Sequence, residues 1–372
     1  MNRFENMKQS NSIHNCIDNI HKCSSLLSKK QIHLMEVCGT HTMSVFRHGI
    51  KQILPSSIRL LAGPGCPVCV TPTNLVDVAI LASKIPNVII TTFGDMMKVP
   101  GSESNLLKEK SNRGNIRIVY SPLDALKFAR ENITTEIIFL AVGFETTAPT
   151  VAATILQAEK EHISNFSLIC SHKVMPPPMR ALSESGEIRI DGFICPGHVS
   201  TITGAKIFEF LARDYHIPCV VSGFEPLDIL QSIEMLLQQI ISQRSEVEIQ
   251  YRCCTTWHGN LKAQSVLTKV FEPCDSEWRG LGNISNSGLK LNKNYRQYDA
   301  LIKFNLHMPK PVHIQGCICG EILRGVKEPV DCCFFRSACS PETPIGPCMV
   351  SNEGACAAYY KYEKHYDKKV YV

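Results

Sequence analysis

The chain has 372 residues, of which 44% are hydrophobic and 20% charged, and its formal net charge is +5. This length predicts two or three domains with buried cores, and the composition is too apolar for a disordered chain. No basic run is dense enough for a nucleic-acid groove and no apolar run reaches the roughly 18 residues of a membrane span, so we expect a cytoplasmic protein that binds neither.

Short apolar runs alternate with stretches of helical length along the first two thirds of the chain. Residues 1–30 are polar and helix-like, and they predict an N-terminal helical extension. Eight runs rich in β-branched residues follow, at 34–37, 58–62, 88–92, 116–120, 137–142, 167–171, 192–195 and 218–222. Strands that alternate with helices indicate parallel sheets with right-handed crossovers, so the predicted fold class is α/β.

The eight strands are expected to divide into two similar parallel-sheet α/β domains of four strands each. A polar stretch at 132–135 suggests a break near residue 133. The first domain then covers 31–132 and the second 133–245. From about residue 250 the alternation stops, and we assign 246–372 to a loop-rich C-terminal domain.

Thiols follow each of the first two predicted strands. The first strand ends in Cys38-Gly-Thr-His41, and the second in Gly63-Pro-Gly-Cys-Pro-Val-Cys69. The prolines and glycines of the second turn hold Cys66 and Cys69 at a defined separation, as a redox dithiol or as half of a metal site. A single cysteine after a strand is usually a small buried hydrophobe. If the two strands are neighbours, however, three thiols and the His41 imidazole meet in one crevice where open α/β sheets bind ligands.

Other predicted strands end in glycine, an aromatic residue and an acid. The most distinctive example is Gly143-Phe-Glu-Thr-Thr-Ala-Pro149. Thr146 or Thr147 is suited to cap the following helix, which leaves Glu145 free to act in the crevice. Alternatively, Glu145 only neutralises the N-terminus of that helix.

Seven of the 18 cysteines lie between residues 317 and 356, among glycines and prolines. Such loop backbone is able to wrap a metal centre whose bonds replace a hydrophobic core. The intervals between Cys317, Cys332, Cys339 and Cys356 fit an iron-sulfur cluster as well as they fit zinc. The spare thiols favour redox chemistry, because a cluster exchanges electrons with a nearby dithiol and zinc does not.

Several motifs, in order along the chain, resemble the hydrogenase maturation factor HypD family. They are Glu36-Val-Cys-Gly-Thr-His-Thr42, Gly63-Pro-Gly-Cys-Pro-Val-Cys-Val-Thr-Pro72, Gly143-Phe-Glu-Thr-Thr-Ala-Pro149, Pro196-Gly-His-Val-Ser200, Gly223-Phe-Glu-Pro-Leu-Asp228, Glu277-Trp-Arg-Gly-Leu-Gly282 and Gly346-Pro-Cys-Met-Val-Ser351. The resemblance runs from about residue 31 to 363. It implies a scaffold on which the iron of [NiFe] hydrogenases receives cyanide and carbonyl ligands, the Fe(CN)2CO group. The implied partners are a HypC-type small chaperone and a HypE-type cyanide donor.

The resemblance also implies two thiol centres. The first is a [4Fe-4S] cluster held by four cysteines, with a redox pair beside it in an environment likened to ferredoxin-thioredoxin reductase. The matching ligands are Cys317, Cys332, Cys339 and Cys356, and the matching redox thiols are Cys319 and Cys348. The second is the thiol equivalent to Cys38, the favoured iron ligand of the family. Cys333 departs from the family pattern and could compete with Cys332 as a cluster ligand.

We therefore expect Cys38 and Cys69 to ligate the iron of the Fe(CN)2CO group, with Cys66 and His41 close by and soft thiolates suiting such an iron. Glu145, Thr146 and Thr147 are expected to face the same cavity and to position the HypE-type protein or the incoming group. The protein is then a redox-active assembly scaffold rather than a conventional enzyme. The alternatives are a cluster-dependent dithiol oxidoreductase that acts on a partner protein, and a zinc-stapled binding module.

Overall fold

Two parallel sheets form the body of the protein. The structure, a computed structural model, describes residues 3–27, 31–112, 114–312 and 314–363. Within these residues the first sheet contains β1 (Ile32–Glu36), β2 (Ile58–Ala62), β7 (Gly192–Pro196), β8 (Cys219–Ser222) and β9 (Val247–Ile249), in the order β2-β1-β7-β8-β9. The second contains β3 (Val88–Thr92), β4 (Ile116–Ile118), β5 (Glu136–Gly143) and β6 (Phe166–His172), in the order β4-β3-β5-β6. All neighbouring strands in both sheets are parallel, which confirms the α/β fold class.

Helices connect the strands and cover the sheets. Their bounds are α1 (Arg3–Leu26), α2 (Gly39–Arg47), α3 (Ile50–Ile53), α4 (Thr73–Ser83), α5 (Leu106–Ser111), α6 (Pro122–Glu131), α7 (Ala148–Lys160), α8 (Pro176–Glu184), α9 (Gly197–Thr203), α10 (Glu209–Tyr215), α11 (Pro226–Ile241), α12 (Leu261–Val270), α13 (Ala300–Lys303), α14 (Cys319–Leu323) and α15 (Ala355–Tyr362). A hairpin of β10 (Phe271–Trp278) and β11 (Gly282–Leu291) follows α12. None of the helices in the described ranges combines the length and the apolar character needed to cross a membrane.

Local chemistry explains where several helices begin. Ser121 accepts a hydrogen bond from the Leu123 N–H at 3.1 Å, and Pro122 starts α6 with its fixed φ. Asn260 caps α12 in the same way, through a 3.0 Å bond from the Ala263 N–H. Cys38 occupies the N-cap position of α2 without a capping hydrogen bond from its side chain.

The eight predicted strands do divide four and four between the two sheets, but the chain does not complete one sheet before it starts the other, so the expectation of two consecutive groups was wrong. The chain builds β1 and β2 of the first sheet, forms the whole second sheet from β3 to β6, and then returns to the first sheet. The polar stretch at 132–135 is only the turn before β5, and the expected break near residue 133 falls inside the second sheet. The physical reason is that parallel strands pair wherever their buried faces complement each other, and their order along the chain does not decide this.

The predicted N-terminal extension packs onto the first sheet's outer helix. Ile20 is fully buried in an apolar cluster with Ile233 of α11, and the Cys16 thiol donates to Glu234 Oε2 at 3.2 Å. Residues 1, 2 and 28–30 of the extension lie outside the described residues. Helix α1 is therefore an integral part of the core rather than a free arm.

Candidate functional site

A cavity of about 210 Å³ lies where the carboxyl ends of strands from both sheets meet. Its walls come from the segments after β1, β2, β3, β5 and β7, together with one residue of the C-terminal segment. The lining residues are Val37, Cys38, Thr40, Gly65, Pro67, Val68, Phe93, Asp95, Met96, Val142, Gly143, Phe144, Thr146, Thr147, Pro196, His198, Val199 and Glu353. We call this space the Cys38 cavity. Its position is the one where open α/β sheets bind their ligands.

Cys38 gives the cavity its thiol. The side chain is 8% exposed and lines the cavity, while the residue's own N–H donates to Glu36 Oε2 at 3.1 Å. Burial raises the pKa of Cys38 to about 12, and the nearby Glu353 adds to the rise. The thiol therefore keeps its proton at neutral pH, and a metal ion that binds there has to displace that proton.

The turn that carries Cys66 and Cys69 lies directly against Cys38. The Gly39 N–H donates to Gly65 O at 3.0 Å, and a Cβ placed on Gly65 would lie 2.2 Å from the Cys38 nitrogen. Only glycine permits this approach, so the sequence requires it at position 65. The strands β1 and β2 are neighbours, as the expectation of a shared crevice required.

Cys66 and Cys69 form a disulfide, with their Cα atoms 5.2 Å apart. Both residues are buried, and the cavity wall is made by Gly65, Pro67 and Val68 of the same turn. Cys38 thus faces the cavity while Cys69 lies beneath its wall. Cys69 becomes a possible ligand only after the disulfide is reduced, because a disulfide sulfur carries no thiolate.

His41 lies behind the cavity rather than in its wall. Its Nε2 is 2.9 Å from Gly223 O, and its ring stacks on Phe224, with the centroids 4.9 Å apart. Phe224 stacks in turn on His198, which does line the cavity. Burial lowers the pKa of His41 to about 4, so the imidazole is neutral, and its buried Nδ1 has no hydrogen-bond partner. A ligand role for His41 remains a prediction and requires the side chain to turn.

Some side chains of the segment from Gly143 to Thr147 line the cavity and others do not. Thr146 and Thr147 line the cavity, as expected. Glu145 is not among the lining residues, since its Oε1 accepts the Met175 N–H at 2.8 Å and its buried Oε2 has no partner. Burial raises the pKa of Glu145 to about 7. The carboxyl group is therefore poised to change charge near neutral pH, but next to Met175 rather than in the cavity.

Two acidic residues of the cavity were not among the predicted site residues. Asp95 follows β3, and burial raises its pKa. Glu353 reaches the cavity from the C-terminal segment and accepts a hydrogen bond from Thr40 Oγ1 at 2.7 Å. Asp95 stands in a strand-end motif and was detectable by that position. Glu353 lies in a loop, and its only sequence signal is its place three residues before Cys356.

Thiols of the C-terminal segment gather around a second, smaller pocket of about 10 Å³. Its cysteines are Cys317, Cys319, Cys332, Cys339 and Cys356, which define the C-terminal thiol pocket. The sulfurs of Cys317 and Cys319 are 3.3 Å apart, and their hydrogen bond lowers the pKa of Cys317 to about 6. The fully buried Cys348 interacts with Cys319 from outside the pocket lining. The four expected cluster ligands thus line one pocket, and the two expected redox thiols are neighbours.

The donor set of this pocket suits an iron-sulfur cluster, because thiolates are the usual ligands of such clusters. Gly346 leaves room beside the sulfurs, since a Cβ there would lie 2.5 Å from Cys319 Sγ and 2.8 Å from Cys317 Sγ. Cys333 is exposed and is not part of the lining, which favours Cys332 as the second ligand. Among the described residues no three His, Cys, Asp or Glu side chains are grouped with the geometry of a site for a single metal ion.

Fold and site together define an α/β protein with a buried thiol at the carboxyl ends of two parallel sheets and a cysteine-rich C-terminal segment. The family model of HypD, described as the "Hydrogenase formation hypA family", matches residues 11–363. The chain belongs to the HypD family of hydrogenase maturation factors.

Curated relatives agree with this assignment. The chain is 46% identical over 347 residues to the hydrogenase maturation factor HypD2 of Bradyrhizobium diazoefficiens, with 91% of each chain covered. It is 46% identical over 340 residues to HypD of Rhodobacter capsulatus, with 90% of each covered. It is 45% identical over 348 residues to HypD of Escherichia coli, with 91% of each covered. A role in hydrogenase maturation follows from these matches.

Proposed function

We propose that this protein is a scaffold on which an iron ion, as cargo, receives the ligands of the Fe(CN)2CO group of [NiFe] hydrogenases. The observation that carries the proposal is the close approach of the Cys38 backbone to the Cys66/Cys69 turn, at the mouth of a cavity shared by both sheets. Thiolates are soft ligands that suit a low-spin iron with strong-field partners. The cavity has room for such an ion and a few diatomic ligands.

The residues of the Cys38 cavity have distinct roles in this proposal. Cys38 binds the iron and loses its proton in doing so. Cys69 completes the thiolate pair once its disulfide to Cys66 has been reduced by two electrons and two protons. Asp95 and Glu353 are placed to accept the released proton, and Thr146 is placed to hydrogen-bond a polar ligand on the iron.

The C-terminal thiol pocket is the proposed electron store. Cys317, Cys332, Cys339 and Cys356 would hold a [4Fe-4S] cluster, which supplies one-electron chemistry when bound. Cys319 and Cys348 lie next to that ligand set and would pass electrons on to the Cys66–Cys69 disulfide by thiol-disulfide exchange or electron transfer. The electrons come from a one-electron reductant of low potential outside the chain. HypC-type and HypE-type proteins are the proposed partners, the second as the cyanide donor.

Infrared spectroscopy tests the proposal most directly. The protein is purified anaerobically together with the small chaperone, and the expected result is a set of cyanide and carbonyl stretching bands. A Cys38→Ala variant should lose these bands while it keeps the brown colour of the cluster. Cys195→Ala is the matched control, because Cys195 is also a buried thiol near the carboxyl end of a first-sheet strand but does not line the cavity. Unchanged bands in Cys38→Ala would rule out Cys38 as the iron ligand.

The second candidate is a cluster-dependent dithiol oxidoreductase that reduces a partner protein. The disulfide between Cys66 and Cys69 favours it, since a buried Cys-x-x-Cys disulfide is the oxidised form such an enzyme would have. A Cys69→Ser variant distinguishes the two functions. An oxidoreductase would trap its substrate on Cys66 as a mixed disulfide, whereas a scaffold would trap no protein and would lose part of its iron.

A further inference from the structure

The turn between β10 and β11 contacts three separate parts of the functional architecture. We use the name hairpin turn for Trp278, the last residue of β10, together with Arg279 and Gly280, which follow it. The turn belongs to the motif from Glu277 to Gly282, and the proposed function assigns no role to this motif. Each of its three residues contacts a different region, so the turn is a physical junction between the two thiol centres.

Trp278 attaches the turn to the Cys38 cavity. The indole is fully buried, donates from Nε1 to Ser287 Oγ at 2.7 Å, and stacks on Phe144 of the cavity wall with centroids 5.9 Å apart. The buried Lys173 fixes the strand before it by donating to Ser276 Oγ at 2.8 Å and Glu277 O at 2.6 Å. These contacts leave the turn little freedom to move.

Gly280 attaches the turn to the C-terminal segment. It has φ +85, and a Cβ there would lie 2.4 Å from the Cα of Gly320, the residue after Cys319. Gly280 O also accepts a hydrogen bond from Arg324 Nη1 at 2.7 Å. The two backbones are therefore in direct contact at the edge of the C-terminal thiol pocket.

Arg279 lies between these two attachments. Its backbone N–H donates at 2.9 Å to Val70 O, the residue that follows Cys69, and its Nη1 donates at 2.9 Å to Pro100 O. The guanidinium interacts electrostatically with the thiols of Cys319, Cys317 and Cys348 and then with the Asp77 carboxylate. Among the described residues no carboxylate lies close enough to form an ion pair with it. A partly buried cation thus lies beside the C-terminal thiols while its backbone is bonded to the disulfide turn.

We propose that Arg279 is a positioning residue whose fixed positive charge favours the reduced, more negative state of the centre in the C-terminal thiol pocket. The inference rests on the cluster assignment made above. The potential of an iron-sulfur centre depends on nearby charges and on its hydrogen bonds. A cation held at the pocket edge stabilises the added electron, and it does so more strongly where water is excluded. The backbone of the same residue is hydrogen-bonded next to the turn that carries Cys66 and Cys69. The charge is therefore held at a constant position relative to both thiol centres.

The test is a redox titration of the cluster in the full-length protein, followed by its visible absorption. Arg279→Gln should lower the midpoint potential, so that the ratio of reduced to oxidised cluster at a fixed solution potential falls about tenfold, which is about 59 mV for a one-electron couple. Arg279→Lys keeps the charge and should restore most of the ratio. Arg324→Gln is the matched control: it removes a second arginine that contacts the hairpin turn, but one whose charge is already paired with Glu187 at 2.6 Å.

Each outcome decides a different claim. A shift in Arg279→Gln that Arg279→Lys restores and Arg324→Gln lacks supports the proposal. An equal shift in both Arg279 variants would mean that the guanidinium fork, and not its charge, matters, and this overturns the inference. A coloured Arg279→Gln protein with an unchanged potential also overturns it, and leaves the proposed function intact. A colourless wild-type protein overturns both.

Discussion

Gly65 brings the backbone of the disulfide turn into contact with that of Cys38. A Cβ at this position would lie 2.2 Å from the Cys38 nitrogen and 2.2 Å from the Val37 carbonyl carbon. Both atoms are backbone, so neither can rotate away. We therefore expect any side chain at residue 65 to push the two thiol segments apart.

Gly65→Ala should lower the free energy of unfolding by about 1–3 kcal/mol or more, as overpacking in a core does. It should also reduce iron binding, because Cys38 and Cys69 move apart. Gly94→Ala is the control, since a Cβ there would have its nearest contact 3.7 Å away. Thermal unfolding and the iron content measure the two effects. If Gly65→Ala and Gly94→Ala have the same thermal stability and iron content, the backbone at residue 65 does not lie this close to Cys38.

Glu145 gives the protein a pH-dependent stability. Burial raises its pKa from 4.5 to about 7 in the folded state, so the folded state favours the protonated form. This contribution is fully present below pH 4.5 and is lost as the pH rises to about 7. By linkage the loss is about 3 kcal/mol.

A Glu145→Gln variant cannot ionise at this position and should not show that loss. The free energy of unfolding of the variant, minus that of the wild type, should therefore be larger at pH 7.5 than at pH 5, by about 2 kcal/mol. Denaturant unfolding at the two pH values measures the difference. A difference that does not change with pH would show that Glu145 is ionised or hydrated in the folded protein.

The strands were predictable as elements, but their grouping was not. All eight apolar runs form strands at or within about two residues of their expected positions, because a buried parallel strand needs a continuous apolar sequence. Sheet membership depends on contacts between distant segments, such as Glu36 with Ile194, and no local pattern encodes these. The hairpin of β10 and β11 was missed for a related reason, since its partly buried strands lack a clear apolar alternation.

For the site, too, local features were predictable and contacts between distant parts of the chain were not. The thiols were predictable because their spacing and their place after strands are local features. The burial of Cys69 under the cavity wall, the orientation of Glu145 and the entry of Glu353 into the cavity were not predictable. Each depends on how a loop packs against another part of the chain. Glycine at position 65 was predictable as a permissive residue, but its contact with Cys38 was not.

The C-terminal segment offers a direct comparison of two adjacent thiols. Cys332 lines the C-terminal thiol pocket, whereas Cys333 is exposed and outside it. Cys332→Ala should lose most of the visible absorption of the cluster. It should also release the iron of the cluster to a chelator faster than the wild type, because one of the four ligands is missing. Cys333→Ala should match the wild type in both. The reverse result would make Cys333 the cluster ligand instead of Cys332. It would mean that the loop carrying both cysteines changes conformation when the cluster binds.

At the scale of the whole molecule, we expect the Cys66–Cys69 disulfide to be reduced before iron binds in the Cys38 cavity. Cys38 lines the cavity, but Cys69 is tied to Cys66 beneath the wall. We expect oxidised protein to bind little iron beyond that of its cluster, and protein treated with a dithiol reductant to bind about one more ion per chain. Cys66→Ser should bind the extra iron without reductant, because its Cys69 is already a free thiol. Anaerobic iron analysis measures this, and full extra binding by oxidised wild type would contradict the order.

The return of the chain to its first sheet has a consequence for synthesis on the ribosome. Strands β1 and β2 emerge early, yet their sheet stays incomplete until β7, which starts at Gly192, has been made. The second sheet can close meanwhile, since its strands are consecutive. The ribosome therefore translates well over a hundred codons after those of Cys38 and Cys69 before the Cys38 cavity can form. During that interval the cysteines of the nascent chain are exposed to metal ions, and chaperones would have to protect them.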